Sequence, residues 1–380
     1  MAGTITWGQL RELAGFRAEH GCAVSLYLSL DPSEAPTAAG VETRRNSLLA
    51  AAERVLEERK KSLGHDQREA LKADLERVAA WFDDGFDRDG MRGVAVFAAG
   101  LDNFWSTLAL PDPVGDHVKI GGELYLSPLA RIVGRTDGVV VAAVGRERGS
   151  VFRLEGGELV ELADDTEEVP GRHDQGGWSQ ARYERHIDEI VERHWRRVAE
   201  TLDRSVRTRH GARVVLVGAE DGRSEFEELL SHEVKSSLVG WTTAEAHADA
   251  TQLLEAARPL LERWWSERET ELIERWRQEA AKNGRATTGW EQTLEAASDA
   301  RVEVLLVQDG AGVSAYQCPR CGRAQMSNGS CPLDGTTLEL RDDALDLAVH
   351  DTLNHGGSVQ VIRSRQDLEP VGGVGALLRF

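Results

Sequence analysis

Cysteine occurs four times in this chain, and three of the four fall within fourteen residues, as Cys318-Pro-Arg-Cys321-Gly322 and Cys331-Pro-Leu-Asp334-Gly335. A Cys-Pro-x-Cys-Gly turn directs two thiolates at one point, and a second turn of the same shape completes a tetrahedron. Here the fourth corner is an aspartate. Cys318, Cys321, Cys331 and Asp334 are therefore expected to hold a structural Zn2+, carboxylate being a feasible though poorer zinc ligand than thiolate. The alternative is a metal-free ribbon held by its turns alone. A site with four protein ligands leaves no open position for substrate, so its role is structural.

A second chemistry is carried by residues 171–197, GRHDQGGWSQARYERHIDEIVERHWRR. Gly176 and Gly177 allow close backbone approach to a partner, and Gln180 follows two residues after Trp178, at the opening of an arginine-rich helix. A helix N-terminus presents unpaired amides that favour phosphate. A neutral glutamine amide there can orient a water or stabilise an oxyanion without any shifted pKa. The plainer reading of Gln180 is a polar residue that opens a helix.

At about 100° per residue, Ile187, Ile190, Val191, Trp195, Val198, Leu202 and Val206 share one side of that helix, and Arg182, Arg185, Arg193, Arg196, Arg197, Arg204 and Arg207 share the other. Such a helix spans roughly 40 Å and can track several phosphates. Arg172 lies just before the loop, and Arg182, Arg185, Arg193, Arg196 and Arg197 are the candidate RNA contacts. Glu189 and Glu200 interrupt the stripe, which leaves open a solvated, self-paired face.

The elements that must position these groups divide into three segments. Residues 1–130 read as an α/β unit: a short helix at 10–20, a strand at 22–30, two charged helices over 44–82 broken near Gly64, and strands at 93–99 and 104–110. Cys22, in the first strand, is expected to be a buried core thiol. Residues 131–275 begin with short strands at 138–144, 150–154 and 158–162. The GGWSQ loop, the long helix, a buried strand at 213–217 and a charged helix over 250–282 follow. Trp264, Trp265 and Trp276 of that last helix read as packing residues. Residues 276–380 contain a helix at 289–297, a strand at 302–307, the ribbon at about 316–338, a helix at 343–353 and strands at 358–362 and 374–380. The terminal GGVGALLRF has no strand-loop-helix context for a phosphate loop and reads as a closing core strand.

The chain of 380 residues has a formal net charge of -19, yet residues 171–210 hold nine Arg against seven Asp plus Glu, a local +2 that leaves -21 elsewhere. That distribution excludes a general nucleic-acid coat and suits a factor that touches RNA at chosen points, with protein contacts adding affinity. The longest apolar runs, such as Val139 to Val144, are too short to span a bilayer, and the N-terminal residues lack a signal-peptide pattern. A cytoplasmic protein with no membrane partner is expected.

Taken together, SLYLSLDP, VPGRHDQGGWSQARYERH with its helix, TLEAASDARVEVLLV, CPRCG and the terminal GGVGALLRF resemble the eukaryotic and archaeal class 1 peptide chain release factor superfamily, which includes Pelota and bacterial members. The resemblance spans nearly the whole chain. It implies three αβ domains of mixed α+β and α/β type: a ribonuclease H-like middle domain, and a last domain similar to RNA-binding ribosomal proteins with the zinc ribbon inserted. It also implies a place in the ribosomal A site. Release factors of this family carry Gly-Gly-Gln, whereas Trp178 occupies the glutamine position here. Gly177-Trp178-Ser179-Gln180 instead looks like the GxxQ motif of a release-factor-like branch that clears peptidyl-tRNA. The family's Asn-Ile-Lys-Ser motif is absent, and Tyr125-Leu-Ser-Pro lacks the cysteine of its Tyr-x-Cys motif, so stop-codon reading is not expected. By this likeness Gln180, Gly177 and Gly176 form the active tip of a peptidyl-tRNA hydrolase that engages rRNA and peptidyl-tRNA, with a GTPase of the elongation-factor class as a partner. The alternative is a non-catalytic A-site occupant, a hibernation or stalling-recognition factor.

Overall fold

The computed structural model describes residues 7–380 except 61–62, 85, 87–90, 111, 137, 147, 156–157, 167–179, 209–211 and 246. At 134–136, 148, 155, 164–166 and 180–188 it describes the backbone alone. The fold is mixed α/β, and the chain forms two compact units, Thr136–Glu267 and the remainder, Met1–Arg135 with Arg268–Phe380. The segments 1–130 and 276–380 read from the sequence thus lie within one unit.

The first part of the larger unit contains α1 (Trp7–Ala14), β1 (Ala23–Ser29), α2 (Ala38–Arg59), α3 (His65–Asp84), β2 (Gly93–Ala99), β3 (Phe104–Leu110), β4 (His117–Gly121) and α4 (Ser127–Thr136). Its antiparallel sheet has the order β3-β2-β1-β4. Every residue of β1 and of β2 is buried, so this sheet is covered on both faces. Val24, Leu26 and Leu28 pack with Leu48, Leu75 and Val78 of α2 and α3. Tyr27 and Phe97 belong to the opposite cluster, shared with Leu345 and Val349 from the end of the chain. That shared apolar layer is why residues 1–135 and 268–380 cohere.

The smaller unit contains β5 (Val139–Val144), β6 (Arg148–Glu155), β7 (Glu158–Thr166), α5 (Gln180–Arg207), β8 (Arg213–Gly218), α6 (Arg223–Leu229), α7 (His232–Ser237), β9 (Leu238–Thr242) and the first part of α8 (Ala250–Ala281). Its sheet runs β7-β6-β5-β8-β9, antiparallel through β5 and parallel from β5 to β9. Helices α5, α6 and α7 cover one face, and Leu253, Ala257 and Leu261 of α8 cover the other.

The chain then adds β10 (Ala286–Thr288), α9 (Gly289–Ser298), β11 (Val302–Gln308), the ribbon strands β12 (Ala315–Gln317), β13 (Ala324–Gln325) and β14 (Glu339–Arg341), α10 (Ala344–Asn354), β15 (Ser358–Ile362) and β16 (Val374–Leu378). The main sheet has the order β10-β16-β11-β15, with β11 and β15 parallel. β16 is fully buried, the closing core strand expected from GGVGALLRF. Its glycines have packing roles: Gly372 and Gly373 have φ of 80° and 81°, and a Cβ on Gly375 would lie 2.6 Å from Trp276 Nε1. Trp276 Nε1 donates to Thr287 O at 2.8 Å. Trp265 packs in the core of the smaller unit, and the Arg213 guanidinium stands 4.9 Å from the Trp264 ring centre.

Three features differ from the sequence reading. The first helix spans Trp7–Ala14 instead of 10–20, so residues 15–20 lie outside it. Cys22 is half-buried just ahead of β1 instead of inside it, with its thiol pushed up mainly by burial. The short elements α4, β4, α6, α7 and β9 were not anticipated, each spanning ten residues or fewer. Tertiary burial is what stabilises pieces of that length.

Asp351 offers a test of the shared layer. Burial pushes its carboxyl up to about 6, against the hydrogen bond from Ser298 Oγ at 2.9 Å and the charges of His355 and His350, with Glu123 adding to the rise. A folded-state value above the unfolded one means that this group's stabilising contribution is full below about pH 3.9 and is lost as pH rises through about 6. The loss amounts to roughly 3 kcal/mol. Asp351→Asn keeps the acceptor for Ser298 and is expected to raise the melting temperature at pH 7.5, with a much smaller gain at pH 4.5. Equal gains at both pH values in thermal melts refute the assignment.

Candidate functional site

Helix α5 begins at Gln180, and its 28 residues make it roughly 42 Å long at about 1.5 Å per residue. One side is anchored in the core: Val191, Trp195, Val198 and Leu202 are buried, as the periodicity requires. Trp195 Nε1 donates to Gly145 O at 2.9 Å, and its ring meets Phe226 edge-on at 6.0 Å. Helix and sheet approach so closely at β6 that a Cβ on Gly149 would lie 2.4 Å from Val198 Cγ2. The backbone of α5 is therefore held firmly while its other side is free to meet a partner.

On that outer side Arg193, Arg196, Arg204 and Arg207 are exposed and Arg197 is half-buried. On the same helix Arg196 pairs with Glu192 at 2.6 Å and Arg207 with Asp203 at 2.8 Å. Such exposed i,i+4 pairs are worth only about 0.3–0.5 kcal/mol, so a phosphate can displace them. Arg172, Gly176, Gly177, Trp178 and Ser179 lie outside the described residues, as do the side chains of Gln180, Arg182 and Arg185.

The cysteine cluster assembles as its spacing requires. Each knuckle closes with the same pair of hydrogen bonds: Gly322 N to Cys318 O (3.0 Å) with Cys318 N to Arg323 O (2.9 Å), and Gly335 N to Cys331 O (2.9 Å) with Cys331 N to Thr336 O (2.8 Å). Gly322 and Gly335 take φ of 81° and 74°, the left-handed conformation that this turn demands of its last residue. The ligand atoms of Cys318, Cys321, Cys331 and Asp334 all lie within 4.8 Å of one another. Cys321 Sγ is 3.5 Å from Cys331 Sγ, and Cys318 Sγ is 3.6 Å from each Asp334 oxygen. Four donors about 2.3 Å from a central zinc would be separated by about 3.7 Å, so these residues fit the ion.

The local hydrogen bonding favours anionic donors at two corners. The backbone N–H and hydroxyl of Thr336 hold the Asp334 carboxyl down to about 2. Burial works to raise the Cys318 thiol, but the N–H groups of Cys321 and Arg320 outweigh it and leave it below its ordinary value. Among the described residues Leu338 and Tyr316 supply the apolar cover beneath the cluster. Sequence reasoning did not identify the anchor of the ribbon: Arg323, the residue after the first knuckle, pairs with Asp299 at 2.6 Å and Glu295 at 3.6 Å. An arginine in a turn carries no local sign of a partner 24 residues earlier.

Among the described residues no helix is long and apolar enough to cross a membrane.

Residues 125–262 match the model of bacterial archaeo-eukaryotic release factor family 10. Over 296 residues the chain is 25% identical to peptide chain release factor subunit 1 of Archaeoglobus fulgidus, an alignment covering 71% of this chain and 72% of that one. The protein of the same name from Pyrococcus abyssi is 26% identical over 303 residues, covering 71% and 73%. Among solved structures, that of an archaeal translation termination factor aligns over 99% of both chains at 18% identity with a TM-score of 0.26. The match over the smaller unit and the archaeal relatives agree with one another in likening the chain to the release factors of the archaeo-eukaryotic class 1 superfamily.

Proposed function

We propose that this protein is a ribosome-associated translation factor that occupies the A site and hydrolyses peptidyl-tRNA on stalled ribosomes or large subunits without reading a stop codon. The observation that carries the reading is α5: a core-anchored helix with an exposed arginine side, whose first residue is Gln180 and which is entered from the GGWSQ loop. Arg172, Arg182, Arg185, Arg193, Arg196 and Arg197 hold the phosphates of rRNA and the tRNA end. Gly176 and Gly177 let the loop backbone approach the ester. The amide of Gln180 orients a water for attack on the ester carbonyl; the tRNA ribose oxygen leaves with a proton and the peptide leaves as a carboxylate.

The strand order β7-β6-β5-β8-β9 of the smaller unit is compatible with a ribonuclease H-like middle domain. Codon-independent action is supported by Tyr125, which is only 8% exposed. Its hydroxyl donates to Asp343 at 2.8 Å, and its N–H donates to Ser25 Oγ at 2.9 Å. A structural Zn2+ in the ribbon keeps that insertion folded. A GTPase of the elongation-factor class is the expected delivery partner.

Sedimentation with 70S ribosomes and with separated subunits, followed by release of labelled peptide from stalled complexes, tests the proposal. Binding with release supports it in full. The second reading, a non-catalytic hibernation or stalling-recognition factor, is favoured by Trp178 standing in the glutamine slot, and it predicts binding without release. No cosedimentation at low salt refutes both.

A further inference from the structure

A second basic surface forms at one end of the sheet β10-β16-β11-β15, from residues far apart in sequence. β10 starts and β16 ends at this edge, paired through Ala286 and Leu377, and β11 starts there opposite Leu378. The edge carries Lys282 and Arg285 ahead of β10 and Arg379 beyond β16, with the turn His355-Gly356-Gly357 beside them. Arg379 Nη2 donates to His355 O at 2.5 Å, Arg285 Nη1 to Arg379 O at 3.4 Å, and Arg11 Nη2, from α1, to Gly357 O at 3.5 Å.

Among the described residues these guanidinium groups meet backbone carbonyls and no carboxylate within ion-pair distance. Elsewhere in the same unit Arg44, Arg92, Arg131, Arg275 and Arg365 are each paired with a carboxylate at 2.6–2.9 Å. Of the nearby acids, Glu279 accepts the backbone N–H of Arg285 at 3.0 Å, and Asp299 is engaged by Arg323 at 2.6 Å. In a chain of net charge -19, uncompensated arginines held in place by main-chain oxygens mark a site for an external anion. Phe380, 73% exposed, stands next to Arg379, and His355 is exposed. Arginine beside an exposed aromatic suits unstacked RNA bases and their phosphates better than an acidic peptide, which offers nothing to stack.

We propose that Lys282, Arg285, Arg379 and Phe380 form a second RNA-binding surface, separate in sequence and element from α5, that takes a single-stranded loop of structured RNA. This rests on the reading that the protein engages ribosomal RNA.

The test uses full-length protein and a fluorescein-labelled RNA hairpin with a single-stranded loop, followed by anisotropy between 50 and 200 mM KCl. Arg285→Glu with Arg379→Glu is expected to weaken binding about tenfold or more and to lower the slope of log affinity against log salt by about 2. Arg379 braces the 355–357 turn, so Lys282→Glu with Arg285→Glu, at exposed positions, serves as the second variant; it is expected to show the same loss with an unchanged melting temperature. Phe380→Ala is expected to weaken binding with no change in slope, since it removes stacking and no charge. Hairpin binding that is absent in the wild type or unchanged in both charge variants overturns the surface, whether or not ribosomes are bound. So does a loss confined to poly-glutamate binding, which would mark a protein-docking site. Failure of the wild type to cosediment with ribosomal particles overturns the functional reading instead.

Discussion

Gln180→Ala is expected to slow peptide release from stalled peptidyl-tRNA complexes by about 10²–10³-fold, the loss typical of removing one transition-state donor. Ribosome cosedimentation should be unchanged. The expectation depends on position. Gln180 is the first residue of α5, where backbone N–H groups lack helical partners and the helix dipole favours negative charge. An amide there adds a neutral donor and acceptor to a site already suited to a developing oxyanion. Trp195 and Val198 lock the helix body about four to five turns further on, so truncating Gln180 does not unseat it. The control is Arg193→Glu, which should weaken binding and its salt dependence and leave the release rate at saturation nearly unchanged. Equal release by wild type and Gln180→Ala removes Gln180 from the chemistry. No release by either, with binding intact, leaves the non-catalytic reading.

Cys331→Ser is expected to bring the zinc content from about one ion per chain toward zero and to open the ribbon, leaving the rest of the fold in place. Apart from Ala315 and Ala324, which join the main core, the knuckles have little else to hold them. Their apolar core is Leu338 and Tyr316 with the cysteines themselves, and the ribbon strands are two or three residues long. A unit this small would depend on a bound metal, since structural zinc in comparable knuckles contributes apparent free energies on the order of 10 kcal/mol at neutral pH. Asp334 in place of a fourth thiolate should make the ion easier to remove by a chelator. Asp334→Cys is therefore expected to slow zinc loss to EDTA. The anchor at Arg323 and Asp299 and the bond from Ala344 N to Val313 O at 2.8 Å lie at the margins of the insertion, so its opening should not melt α9 or α10. Metal analysis of wild type and variant, with limited proteolysis of the 327–330 turn, provides the readout. A wild type that carries no zinc and takes none up would refute the site.

Much of the molecule could be read from local pattern. The α5 face, the two knuckles and the strands 93–99, 104–110 and 358–362 follow from a period of 3.6 or 2 and from turn residues that admit few conformations. The ligand set Cys318, Cys321, Cys331 and Asp334 was legible for the same reason: each turn places its own ligands, and only the meeting of the two turns required the fold. The burial of Trp276 and the role of Gly375 were half legible, since an apolar helix position and a strand glycine can be seen but their 2.6 Å approach cannot.

What the sequence by itself determined was chemistry of short range: the two cysteine knuckles, the arginine-faced helix and the closing strand. Tertiary structure alone decided three things. It joined residues 1–135 to 268–380 by giving β1 and β2 two apolar faces to cover. It buried Tyr125 between Ser25 and Asp343, 100 and 218 residues away. It also brought Arg285 and Arg379 to one sheet edge across 94 residues. The physical reason is common to all three. Periodicity and turn chemistry act over a few residues and leave their mark in the local pattern, whereas which strands become neighbours is settled by burial of whole faces.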